Sequence, residues 1–165
     1  MNITLIGMSG VGKSTVGRKL AQKLGFAYID TDVILQEQSG TALQKLLDTK
    51  GEKEFLALES KIITSIGAID NTVVAPGGSI VYLPDALTFV KDNSTVVHLQ
   101  GTLEVLKERN NVSTRGIVGL RDKTYDELYH ERMALYNQHA DTTIDIGRDT
   151  PEEIVEKIRR AINVS

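Results

Sequence analysis

The chain has 165 residues, which fits one domain spanning 1–165 and leaves no room for a second folded module. Nineteen Lys and Arg against 22 Asp and Glu give a net charge of −3, and there is no Trp, so neither a broad nucleic-acid surface nor an anionic-membrane surface is expected; any anion site must be local. The absence of Cys removes disulfides, thiol nucleophiles and thiolate metal sites, and is compatible with a reducing, cytoplasmic setting. Residues 1–10 lack a basic segment followed by a long apolar one and read as the first strand instead of a secretion signal. Five short runs rich in β-branched or aromatic residues, at 3–6, 26–29, 72–75, 95–99 and 142–146, predict strands. Between the first two, Val16, Leu20 and Leu24 recur at helical spacing over 13–24, and Gly25 stands where a helix would stop. Helical spacing returns over 42–47 and 52–66. Thr124 with Glu127, and Thr150-Pro151 with Glu153, are capping boxes opening the last two helices. Alternating strands and amphipathic helices predict a parallel α/β sheet covered by helices. Residues 110–123 keep no period, are long for a loop in so small a domain, and carry Arg115, Arg121 and Lys123; they read as a mobile lid over an anionic ligand.

Gly7-Met8-Ser9-Gly10-Val11-Gly12-Lys13-Ser14 satisfies G-x-x-x-x-G-K-[ST] and sits between a predicted strand and a predicted helix, as that phosphate-binding motif requires. Glycines let successive N–H groups turn inward on phosphate oxygens, and the helix start adds positive potential at the same point. Gly10, Val11, Gly12, Lys13, Ser14 and Thr15 are therefore the candidate ATP-binding residues, with Lys13 reaching the β- and γ-phosphates and Ser14 taking a place on Mg²⁺. No N-K-x-D segment is present to read guanine, and the third strand runs into Pro76-Gly77-Gly78 instead of ending in Asp. Asp30-Thr31-Asp32 supplies the missing carboxylates. In an extended segment residues i and i+2 face the same way, so both aspartates are expected to face the phosphate loop, one toward the metal and one toward a substrate hydroxyl. Two solvated aspartates capping a helix from Val33 are the bland alternative.

These motifs, followed by Gly51-Glu52-x-x-Phe55-x-x-x-Glu59, a Gly-Gly turn, a lid arginine and Arg132-x-x-x-Tyr136 in that order, resemble the shikimate kinase family over nearly the whole chain. The resemblance implies a three-layer P-loop fold with sheet order 2-3-1-4-5, ATP as donor, and Mg²⁺ held by Ser14 and, through water, Asp30. It also implies Asp32 as the base that binds acceptor hydroxyls, Gly77 and Gly78 against the acceptor, and Arg132 on its carboxylate. Arg115 is the implied lid arginine, and Arg109 falls near the position that stacks on adenine; a contact from Arg148 to adenine is left open. A monomer acting on a small molecule is expected.

The chain departs from the family pattern in four places. Leu56 replaces the arginine of Gly-Glu-x-x-Phe-Arg, Ser79 the third glycine, Gly116-Ile117-Val118 the Pro-Leu-Leu after the lid arginine, and Ala134 the proline of R-x-P-x-Y. A hydrogen bond to a charged group contributes ~1.5–3 kcal/mol, so losing that arginine predicts ~10- to 150-fold weaker recognition of an acid. Lys53, one helical turn earlier, is the nearest substitute cation. A different hydroxylated acceptor, or a nucleotide-binding regulator without catalysis, are the rival readings.

Overall fold

The computed structural model describes residues 1–109 and 116–164. Along the chain run β1 (Asn2–Ile6), α1 (Lys13–Leu24), β2 (Ala27–Asp30), α2 (Thr31–Ser39), α3 (Leu43–Lys50), α4 (Glu52–Thr64) and β3 (Thr72–Ala75). A short 3₁₀ turn (Gly78–Tyr82) leads into α5 (Pro84–Asn93), β4 (Thr95–Gln100), α6 (Leu103–Arg109), α7 (Tyr125–His139), β5 (Thr142–Asp145) and α8 (Pro151–Ala161).

All four strand pairings are parallel and the order is β2-β3-β1-β4-β5. The central strands read as apolar runs because both faces are covered: Ile3, Leu5, Val73, Val96, Val97 and Leu99 are fully buried. Neighbouring residues of β1 identify what covers each face. Gly17 of α1 lies against Leu5, where an added Cβ would be 3.4 Å from Leu5 Cδ1, while Thr4 Oγ1 hydrogen-bonds at 2.6 Å to Ser94, the residue that closes α5. Helices therefore sandwich the sheet. Both capping boxes are formed, each threonine accepting from the backbone of its glutamate and the glutamate accepting from the threonine N–H.

The sequence expectations shift in three places. α2 begins at Thr31, directly at the end of β2, so Asp32 is in the first turn of a helix and not in an extended segment. Asp30 caps that helix, accepting from the N–H groups of Asp32 (3.2 Å) and Val33 (3.4 Å). α5 was not legible as a period, yet Pro84 at its first turn and buried Ala86, Leu87 and Val90 carry its signal. The segment 116–123 is turn structure seated on α3 and α4. Gly116 N–H donates to Gln44 (3.0 Å) and Gly119 N–H to Glu52 (2.7 Å), and Val118 joins a small cluster with Leu35, Leu46 and Phe55. Among the described residues no helix is long and apolar enough to cross a membrane.

Candidate active site

A cavity of about 470 Å³ opens at the carboxyl ends of β1, β2 and β3, where open α/β sheets place their ligands. One wall is the loop from Ser9 to Thr15. Gly12 takes φ +106°, a left-handed conformation that a side chain would strain, and this turns the chain from the loop into α1. Gly10, Val11, Gly12, Lys13, Ser14 and Thr15 all border the cavity, as expected. Lys13 Nζ donates to the carbonyls of Gly7 (2.7 Å) and Met8 (3.1 Å), which holds its charge at the loop.

Ser14 Oγ donates to Asp30 Oδ2 at 2.8 Å, and Tyr28 Oη donates to the same oxygen at 3.0 Å. Burial, then the neighbouring Asp30 charge, push the Tyr28 phenol up to about 12, so it stays a donor. The serine and the carboxylate thus form a small set of hard oxygens at the end of the phosphate loop. Magnesium suits that set, because it keeps several waters and takes one or two protein oxygens plus phosphate. Among the described residues no group of three or more His, Asp or Glu offers a self-contained cation cage. The capping role of Asp30 and its place beside Ser14 coexist: Oδ1 serves the helix, Oδ2 the site.

The opposite wall is assembled from α2, α4, the Pro76-Gly77-Gly78 turn and α7. The carboxylate of Asp32 is raised to about 6, chiefly by burial, with the Lys13 charge working against the rise. Glu59 is 4% exposed and is raised to about 8, again chiefly by burial. Its Oε2 accepts a short hydrogen bond from Ser79 Oγ. Gly77 must lack a side chain: a Cβ there would collide with Glu59 Oε1 and come within 3.0 Å of Asp32 Oδ1. Gly78 lies equally close to Arg132, its hypothetical Cβ 3.0 Å from Nη1.

Arg132 is 1% exposed. Nη2 donates to Val118 O (2.8 Å), Nε has no partner, and no carboxylate pairs with the guanidinium among the described residues. Burial disfavours its charge, but Tyr136 and Tyr82 outweigh that and the pKa is raised. A buried cation without a counter-ion is costly unless it serves an anion that arrives from outside.

Asp30, Asp32, Gly77, Gly78, Arg109 and Arg132 thus share one cavity with the phosphate loop. Arg109 sits exposed at its edge, at the end of α6. Arg148 is not on the wall; it is engaged with Glu108 at 3.1 Å and lies 3.9 Å from Glu104. Arg115 lies outside the described residues, whereas Gly116, Ile117 and Val118 border the cavity. Leu56 is half-buried, packing against both hydrophobic clusters away from the wall, and Lys53 is exposed on the same helix, so it does not replace the family arginine. Sequence reasoning assigned no role to Glu59, Tyr28 or Tyr82. Glu59 had a findable signal, since it follows Phe55 by four residues and precedes Ile62 by three on the buried face of α4.

A family profile described as shikimate kinase matches residues 9–163. A shikimate kinase of Caldanaerobacter subterraneus subsp. tengcongensis is 34% identical over 163 residues, covering 97% of this chain and 95% of the relative. One from Rippkaea orientalis is 36% identical over 169 residues, covering 98% and 88%. Among solved structures, a shikimate kinase from Acinetobacter baumannii in complex with shikimate superposes with a TM-score of 0.90 at 27% identity, covering 98% of this chain and 92% of that one. The Aquifex aeolicus shikimate kinase gives 0.83 at 29% identity, covering 99% and 96%. With a phosphate loop, paired carboxylates and a counter-ion-free arginine around one cavity, and with likeness running the length of the chain, this protein belongs to the shikimate kinase family.

Proposed function

We propose that the protein transfers the γ-phosphoryl group of ATP to a hydroxyl of shikimate. The observation that carries this reading is the placement of Asp32 and Arg132 on one wall of the cavity whose other wall is the phosphate loop. A hydroxy acid bridging that wall presents its hydroxyl to Asp32 and its carboxylate to Arg132. The loop N–H groups cradle the phosphates, and Lys13 exchanges its carbonyl partners for phosphate oxygens as the nucleotide enters. Asp32 orients the acceptor hydroxyl and accepts its proton. A carboxylate raised to about 6 is ionised near neutral pH yet more basic than an exposed one, which suits that task. Ser14 and, through water, Asp30 would hold magnesium, which would supply charge neutralisation on the phosphates. Residues 116–118 lie against the cavity, where they help to exclude the water that would divert transfer to hydrolysis, and Arg115, outside the described residues, is taken as the lid arginine that meets the phosphates. Arg109 stacks on the adenine from the cavity edge. We take the protein to act as a monomer in a cytoplasmic setting, with which the absence of Cys is compatible.

The test is product analysis. Incubated with ATP, magnesium and shikimate, the wild type is expected to form a phosphate monoester of shikimate in step with ADP, read by ³¹P NMR. Asp32→Asn is expected to lower kcat by ~10²-fold or more while leaving ATP affinity intact. ADP release without the phosphate ester would contradict the reading.

A further inference from the structure

The acceptor wall has one arginine where the family pattern has two, because position 56 is Leu, half-buried against both hydrophobic clusters, and Lys53 is exposed. Arg132 must then hold a carboxylate alone, and a single long side chain does so well only if it is already fixed in place. Its surroundings supply that fixation. The guanidinium carbon lies 5.3 Å from the centroid of the Tyr82 ring, within cation–π range. Tyr82 and Tyr136 both stabilise its charged form. Tyr136 is fully buried, and its hydroxyl donates to Gly78 O at 2.6 Å; a Cβ on Gly78 would lie 3.2 Å from that hydroxyl and 3.0 Å from Arg132 Nη1. The arginine, the glycine turn and the two phenols therefore form one packed unit. Tyr82 ends the 3₁₀ turn that begins at Gly78, so the ring beneath the arginine and the backbone beside it belong to a single rigid segment.

We infer that Tyr82 and Tyr136 are positioning residues for acceptor binding: Tyr82 underlies Arg132, Tyr136 ties Arg132 to the Gly77-Gly78 turn, and together they let one arginine bind the acceptor carboxylate. This rests on the functional reading above. Neither tyrosine lines the cavity. Their effect passes through the guanidinium and so depends on the charge of the acceptor.

That dependence separates positioning from a merely structural role. Steady-state kinetics would be measured for wild type, Tyr82→Leu, Tyr82→Phe and Tyr136→Phe with shikimate and with its uncharged carboxamide. Tyr82→Leu is expected to raise KM for shikimate about tenfold, with kcat changed less than threefold and KM for ATP unchanged. Tyr82→Phe keeps the ring but not the hydroxyl and is expected to recover part of that loss. With the carboxamide, wild type and Tyr82→Leu are expected to have the same KM within twofold. Tyr136→Phe is expected to raise KM for both acceptors, and more for shikimate, because it also frees the turn. Equal losses on the acid and the amide, or a rise in KM for ATP, would overturn the inference while leaving the functional reading standing. No turnover of shikimate by the wild type would remove both. Circular dichroism and thermal melts of each variant identify misfolding, and a folded Tyr82→Leu with wild-type shikimate KM is also an overturning result.

Discussion

The donor and acceptor walls of the cavity are made of different material. The donor wall is largely backbone: loop N–H groups, a helix start and glycines at positive φ, Gly7, Gly10 and Gly12, with Lys13 and Ser14 as its main side chains. The acceptor wall is side chains drawn from α2, α4 and α7 around a glycine turn. Backbone geometry tolerates little change, because each amide is fixed by its neighbours in one contiguous stretch. Side chains from separate elements can be exchanged if the others compensate. The departures from the family pattern leave the phosphate loop untouched: Leu56, Ser79 and Ala134 stand on acceptor-side segments and Gly116-Ile117-Val118 in the lid segment.

The sharpest way to break the comparison is Lys13→Ala. If the donor wall has no substitute for this charge, kcat/KM falls by ~10³-fold or more, roughly 4 kcal/mol of transition-state stabilisation, in a coupled ADP assay. A loss below tenfold would mean that the loop positions phosphate without it. Leu56→Arg probes the other wall. It returns the family residue to α4, and KM for shikimate is expected to fall about tenfold with KM for ATP unchanged, since one charge-assisted hydrogen bond is added. Thermal stability should drop, because Leu56 packs against both clusters.

These two positions also show what the sequence could reveal. The phosphate loop was legible because its chemistry is written in consecutive residues, and the five strands because their apolar runs are buried on both faces. Asp30 and Asp32 both border the cavity, though not through the alternation expected of a strand: α2 starts at Thr31, and a helix start brings both carboxylates there instead. The acceptor wall was harder to read. Tyr82 and Arg132 are far apart in the chain, and no local pattern announces that a tyrosine after a glycine turn lies under an arginine fifty positions later. Lys53 shows the converse, since proximity along a helix did not place it on the cavity.

A separate effect, on stability and not on turnover, concerns the core that both walls share. His98 on β4 is fully buried, its Nδ1 bonded to Asn137 Oδ1 at 3.0 Å and its Nε2 without a partner; the Tyr136 ring lies 5.0 Å away. Burial, with a lesser contribution from the Lys13 charge, pulls its pKa down to about 4 against the Asn137 contact. The unfolded chain, with a histidine near the ordinary 6.5, therefore binds more protons between those values. The stabilising contribution is complete above about 6.5 and is lost as pH falls toward 4, by on the order of 3 kcal/mol. Urea unfolding from pH 7 to pH 4 should show the wild type losing more stability than His98→Gln; parallel curves would refute this. The smallest effect expected is at Arg148, whose ion pair with Glu108 is exposed and off the cavity. Arg148→Ala should leave both Tm and KM for ATP unchanged, and a raised KM would place Arg148 in the nucleotide site.

The central claim is that an unaltered donor wall and a reworked acceptor wall still serve the same acid. The most direct measurement is kcat/KM with saturating ATP across shikimate, other hydroxylated acids, sugars and nucleoside monophosphates, read by ADP formation. The account predicts that shikimate is the preferred acceptor by at least tenfold. Faster turnover of an uncharged polyol or a nucleotide, with shikimate idle, would contradict it.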